Sequence, residues 1–220
     1  MPHYLVFIGT ARDSTPPAPA RLGLRVALAC QRLLEAEGAS VELIDPLELE
    51  LGAVFKPHFA YTRSQAPEGL DALADRIAAA DGYVMVSPEY NHSMSPALAH
   101  LLNHFGSSLY AFKPSAIVTY SAGQWGGARA AVNMRTFLAE LGCLPVSAMI
   151  HVPHAQQALE EDGSFHDDTE RWVGYFGRTL GQLGWWAQAA ARYREEVDPH
   201  RISPAFREAP SQRNAPDGGA

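Results

Sequence analysis

The feature that most constrains this chain is a series of short, unbroken apolar runs separated by stretches of helical periodicity. Tyr4-Leu5-Val6-Phe7-Ile8, Tyr83-Val84-Met85-Val86-Ser87, apolar until Ser87, and Ala116-Ile117-Val118-Thr119-Tyr120 are rich in β-branched and aromatic residues. A strand with one face in water alternates apolar and polar residues, whereas a continuous run needs cover on both faces. Two further strands are expected, at 41–45, closed by Pro46, and at 145–150. Between the strands, apolar spacing predicts helices over 22–36, 68–80, 96–105, 128–141 and 169–189. Gly38 and Asp81-Gly82 supply stops, and Ser93 or Ser95 ahead of Pro96 supplies a start. Residues 47–66 read as a long loop with at most a short helix. Strand and helix therefore alternate five times, which implies an α/β fold with one doubly wound parallel sheet covered on both faces. We assign it to residues 1–190. Residues 191–220 carry too little apolar surface to fold alone and read as a tail, disordered or packed on a partner subunit.

Charge and composition narrow the class. A formal net charge of −7 argues against a general nucleic-acid binder, which normally shows a basic face, but leaves room for a small anion held by local donors. No apolar stretch approaches the ~20 residues of a membrane span. No secretory signal follows Met1-Pro2-His3, so a cytoplasmic protein is expected. Cys30 and Cys143 lie in separate apolar segments and read as buried small residues rather than a redox pair.

Ligands of doubly wound sheets bind beyond the carboxyl ends of the strands, near the switch in strand order. That places three loops at the candidate site. The first, Gly9-Thr10-Ala11-Arg12-Asp13-Ser14-Thr15, brings hydroxyls and a guanidinium between a strand and a helix. It reads either as a phosphate cradle or as a polar turn on a Pro-rich connection; it is neither a GxxxxGK[ST] nor a GxGxxG loop. The second, Pro88-Glu89-Tyr90-Asn91-His92-Ser93, offers a rigid proline, an aromatic ring and an amide, suited to a flat heterocycle or to a lid over the core. The third, Ser121-Ala122-Gly123-Gln124-Trp125-Gly126-Gly127-Ala128-Arg129, combines close backbone approach with a second flat wall, or is a glycine-rich helix entry.

Together the three loops resemble the NADPH-dependent FMN reductase family, the flavodoxin-like group that includes FMN-dependent quinone, azo-dye and chromate reductases. The family pattern, GSxRxxS or GSxRxGRxG, then PEYNxSxPGxLKNxID, then SxGxxGGxR, is met in register over about residues 3–187. The resemblance implies a three-layer sheet in the order 2-1-3-4-5. It implies FMN as cofactor, NADPH or NADH as co-substrate, and a small-molecule electron acceptor such as a quinone or free flavin. It also implies a homodimer or homotetramer. By the same resemblance Thr10, Arg12 and Arg21 would hold the FMN phosphate. Pro88, Glu89, Tyr90 and Asn91 would line the ribityl chain and ring, and Ser121, Gly123, Trp125 and Gly126 the other side of the ring. The chain departs from the pattern at a Pro-rich insertion between Arg12 and Arg21, where Ser14 or Thr15 would replace a usual contact. It departs again at Ser95-Pro96, Ala99-His100 and Asn103.

His100 and His104 share the helical spacing of a zinc pair but lack an HExxH glutamate and a third ligand. His151 and His154 read as loop histidines at the site edge, and Trp185-Trp186 as packing or an interface patch. No GxSxG elbow favours a hydrolase. The rival readings are a non-enzymatic flavoprotein, either electron carrier or redox sensor, and a flavodoxin-fold interaction module that has lost its cofactor.

Overall fold

The computed structural model describes residues 1–13, 21–52, 54–62 and 65–208. Most of the Pro-rich insertion, Ser14 and Thr15 included, and residues 209–220 lie outside the described residues. The strands are β1 (His3–Ile8), β2 (Ser40–Ile44), β3 (Gly82–Pro88), β4 (Pro114–Tyr120) and β5 (Leu144–Val152). The helices are α1 (Leu22–Ala36), α2 (Glu68–Ala79), α3 (Pro96–Asn103), α4 (Ser107–Tyr110), α5 (Ala128–Glu140), α6 (Ala155–Ala158), α7 (Thr169–Glu196), α8 (Pro199–Ile202) and α9 (Ala205–Glu208). Single 3₁₀ turns at Pro46–Glu48 and His58–Ala60 punctuate the irregular stretch expected over 47–66.

The sheet is parallel, in the order β2-β1-β3-β4-β5 expected from the family resemblance. Its unbroken apolar runs divide by alternation between two cores. Tyr4, Val6, Ile8, Val84, Val86, Ala116 and Val118 pack beneath α1 and α7. Leu5, Phe7, Tyr83, Met85 and Ile117 pack beneath α2, α3 and α5. This two-sided burial is why those strands show no polar alternation. The edge strands differ: β5 mixes exposed and buried positions, and β2 is only partly buried before Ile44. Helix α7 lays Phe176, Leu180, Leu183 and Ala187 on the first core, at helical spacing.

Helix α7 overruns its expected end. It continues to Glu196, and Arg194 anchors the extra turns by donating to the Phe112 carbonyl (3.0 Å) and pairing with Asp81 (3.4 Å). The described part of the expected tail thus returns to its own chain, where His200 also packs edge-on against Phe112. Cys30 and Cys143 are both buried and free, and burial pushes each thiol up to about 12. Among the described residues no helix is long and apolar enough to cross a membrane.

Candidate functional site

Three loops meet where β1, β3 and β4 end, on either side of the strand-order switch between β1 and β3. The floor is a tight joint between the first two. Gly9 N–H donates to the Val86 carbonyl at 2.7 Å. A β-carbon on Gly9 would stand 2.3 Å from that same oxygen, so the strands close only over glycine. Ser95 caps α3 by accepting from Leu98 N–H (3.0 Å), and its own hydroxyl donates to the Gly9 carbonyl. Ser87 accepts from Ser95 N–H (2.9 Å) and donates to the Pro88 carbonyl (2.8 Å). Ser87 and Ser95 therefore stitch the first two loops together; only their position between strand end and helix start could have signalled it.

In the first loop Thr10 is buried, and its Oγ1 accepts from Arg12 N–H at 3.1 Å, turning the chain. Arg21 adopts a left-handed conformation (φ +58°) immediately before α1. Its guanidinium pairs with Asp45, which also accepts from Leu47 N–H at 3.0 Å. Both side chains of the pair are mostly buried, so this Arg is already balanced by the loop after β2.

The second loop turns on Asn91 and His92, both with positive φ (+50° and +62°), while Tyr90 and Ser93 exchange N–H···O bonds of 3.0 and 2.9 Å. This is the mirror-image type of two-residue turn, which Asn tolerates well. Ser93 Oγ donates to Asn133 Oδ1 (2.9 Å), pinning the turn to α5. Tyr90 keeps 43% of its surface exposed. Glu89 points elsewhere. Its carboxylate accepts from Arg129 N–H (3.2 Å), Ala130 N–H (3.4 Å) and the Arg129 guanidinium (3.2 Å), capping α5 where the helix dipole favours an anion.

The third loop is braced by Ser121, whose Oγ donates to the Gly123 carbonyl (2.8 Å) and accepts from Gly126 N–H (2.9 Å). His154 N–H donates to Gly123 O (2.9 Å) and Ala155 N–H to Ser121 O (3.0 Å). Gly126 and Gly127 have φ of +59° and +78°, and a β-carbon on Gly127 would meet Thr119 Cβ at 2.8 Å. Gly123 instead faces open space, and Trp125 is 61% exposed, with the Arg129 guanidinium 5.3 Å above its ring. His151 lies at the edge, with Nδ1 2.8 Å from Thr119 Oγ1 and its N–H donating to the Tyr175 hydroxyl (2.9 Å). Burial, with Arg178 nearby, holds its imidazole below the ordinary histidine range.

The structure thus gathers Thr10, Arg12, Pro88, Tyr90, Asn91, Ser121, Gly123, Trp125 and Gly126 at one edge, with Glu89 and Arg21 engaged by neighbouring elements. His100 and His104 lie outside this group. Their rings meet at 4.6 Å, nearly perpendicular, with Phe55 against both, and His104 Nδ1 donates to the His100 carbonyl (2.8 Å).

Comparison with known proteins gives the same region a family. A family model described as NADPH-dependent FMN reductase matches residues 2–157, which takes in all five strands and the three loops. An NAD(P)H-dependent FMN reductase of Pseudomonas aeruginosa is 31% identical over 109 residues, 48% of this chain and 59% of that one. An NADPH azoreductase of a Bacillus species is 31% identical over 125 residues, 53% of this chain and 70% of that one. The matched regions thus span about three fifths to seven tenths of these relatives. The flavoenzyme NAD(P)H:(acceptor) oxidoreductase FerB of Paracoccus denitrificans superposes with a TM-score of 0.64 at 23% identity, covering 86% of this chain and 98% of that one. This last likeness is one of fold.

Proposed function

Because the chain belongs to the NADPH-dependent FMN reductase family, we propose that it binds FMN at the carboxyl edge of its sheet and carries hydride from NADPH or NADH to a small electron acceptor, such as a quinone or free flavin. The observation that carries this reading is the meeting of three loops with complementary offerings at the switch point. Hydrogen-bond donors stand at Thr10 and Arg12, open backbone at Gly123, and exposed rings at Tyr90 and Trp125.

The residues fit the group in kind. FMN pairs one anionic phosphate with one flat heterocycle. Thr10, Arg12 and the first turn of α1 offer the phosphate an O–H, a guanidinium and free N–H groups. The backbone of Pro88 to Asn91 and the Tyr90 ring offer an edge and a face. Ser121, Gly123, Trp125 and Gly126 offer the opposite wall. In this reading Glu89 and Arg21 work one step behind the ligand. Glu89 locks the second loop to the helix that follows the third, and Arg21 with Asp45 fixes the entry to α1.

When bound, the flavin supplies the redox chemistry, accepting hydride from the nicotinamide and passing the electrons on. What remains for the chain is binding and orientation. The rigid floor under Gly9, Ser87 and Ser95 sets where the phosphate and ring loops stand relative to each other. Arg129, held by Glu89, keeps Trp125 upright at the mouth. No side chain is required to give or take a proton. The reading includes a cytoplasmic location, where reduced nicotinamide is available, and a homodimer or homotetramer. Exposed Phe55 and Phe59, flanking the α3 region, support a second copy there, and light scattering measures the mass.

The test is the absorbance spectrum of the purified protein, followed by anaerobic titration with NADPH and then NADH. The expected outcome is flavin absorbance, native or on reconstitution, bleached by nicotinamide and restored by quinone. A colourless protein that takes up no FMN overturns the reading. Bound flavin that neither nicotinamide reduces points to the carrier instead.

A further inference from the structure

We propose that Tyr120 is a positioning residue of the phosphate site, its hydroxyl engaging Thr10 so that the Thr10 O–H is left free to donate to the phosphate. The inference rests on the FMN reading and extends it to a residue at the end of β4, outside all three loop motifs.

The argument starts from burial. Tyr120 is 5% exposed, on the α1 side of the sheet, and Thr10 is a hydrogen-bonding neighbour of its hydroxyl. The hydroxyl reaches the first turn of α1. A β-carbon built on Gly23 would stand 2.6 Å from the Tyr120 hydroxyl oxygen and 2.7 Å from Thr10 Cγ2. The phenol and the Thr10 side chain therefore converge over one backbone atom, and glycine at 23 admits both. A tyrosine that only filled the core would need no oxygen at that point; a phenylalanine has the same ring.

Hydrogen-bond capacity then gives the phenol a role. A threonine hydroxyl has one proton to donate and two lone pairs to accept with. One lone pair of Thr10 is taken by Arg12 N–H at 3.1 Å. With the Tyr120 O–H on the other, Thr10 is left as a donor only, and its outward neighbour must be an acceptor. Such a chain of two hydroxyls ending on an anion strengthens each link. The phenol is suited to donate. Burial, reinforced by the nearby Tyr90 phenol, holds it protonated well above the ordinary tyrosine range, against the opposing pull of Thr10, Arg21 and Arg12. Those same neighbours place it between the phosphate loop and the ring loop.

The experiment compares FMN with riboflavin, which lacks the phosphate, by quenching of flavin fluorescence on the full chain. Tyr120→Phe is expected to weaken FMN about 5- to 10-fold, the range of one lost hydrogen bond on the path to an anion, and to leave riboflavin within about twofold. Thr10→Val is expected to cost FMN at least as much, Thr10→Ser to restore it, and Tyr120→Phe to add nothing once Thr10→Val is present. Equal loss of both flavins in Tyr120→Phe, unchanged FMN affinity, or additive effects of the two substitutions would each overturn the proposal. A wild-type protein that binds riboflavin as well as FMN overturns the phosphate site; one that binds neither overturns the functional reading beneath it.

Discussion

Lys113 and Thr10 are both buried polar residues at strand ends, at opposite edges of one sheet. At the amino edge Lys113 donates to the Ile77 and Ala78 carbonyls (2.8 and 2.5 Å), which the last turn of α2 leaves without helical partners. The Tyr83 hydroxyl joins them, 2.8 Å from Ile77 O and 3.1 Å from Leu109 O. Asp81 accepts from His3 N–H (3.0 Å) and pairs with Arg194. Every one of these groups is spent inside the protein. At the carboxyl edge the inward bonds serve to shape loops, as when Thr10 Oγ1 accepts from Arg12 N–H, and open surface remains beside them: the bare face of Gly123 and the rings of Tyr90 and Trp125. Burial and polarity are alike at the two edges. The difference lies in where the last hydrogen bond ends, and that would separate a structural network from the binding one proposed above.

The contrast can be broken most forcefully at Gly9. Gly9→Ala forces a methyl group onto the Val86 carbonyl and is expected to cost about 3 kcal/mol, lowering Tm by roughly 10 °C; a calorimetric scan that leaves Tm in place would show the carboxyl floor to be looser than drawn. Arg12→Ala acts at the carboxyl edge, in the proposed phosphate loop. It should cost FMN about 2 kcal/mol, roughly 30-fold in Kd, with Tm of the flavin-free protein held to within about 2 °C. Unchanged affinity would remove Arg12 from the phosphate site.

The smallest effect is expected at the amino edge. Burial, with Arg194 close by, lowers the Lys113 ammonium to about 8. A lysine whose folded value lies below its ordinary one penalises the folded state at low pH. The penalty fades as pH rises from about 8 towards the unfolded value of about 10.4. Lys113→Met, which keeps the stem and removes the charge, relieves that penalty but leaves the Ile77 and Ala78 carbonyls unpaired, so the net change in stability at pH 7 should be only about 1 kcal/mol. Denaturant unfolding should show the wild type gaining on the variant between pH 8 and 10. A difference that is flat with pH would mean that Lys113 titrates normally.

Much of the fold is legible in the sequence alone. The strands expected at 4–8, 83–87, 116–120 and 145–150 all appear, each extended by a residue or two at one or both ends. Helix α1 has its expected bounds. The overrun of α7 was not legible, because Arg192 to Glu196 is polar; its turns hold through Arg194 gripping Phe112 and Asp81, far away in sequence. The short helix α4 was hidden in the same way. Its Tyr110 is fully buried against Tyr83, a contact with no local signature.

The same division runs through the site. Short-range physics let the sequence determine the alternation of strand and helix and the glycines of the third loop, because period and turn chemistry involve only near neighbours. Tertiary structure decided which donors and acceptors remain for a ligand. Arg21 is matched by Asp45, 24 residues on, and Glu89 by the start of α5, 40 residues on. Tyr120 reaches Thr10 and Gly23 across the sheet. A polar side chain is free or spent according to what the fold brings within 3 Å of it, and no reading of neighbours along the chain contains that distance.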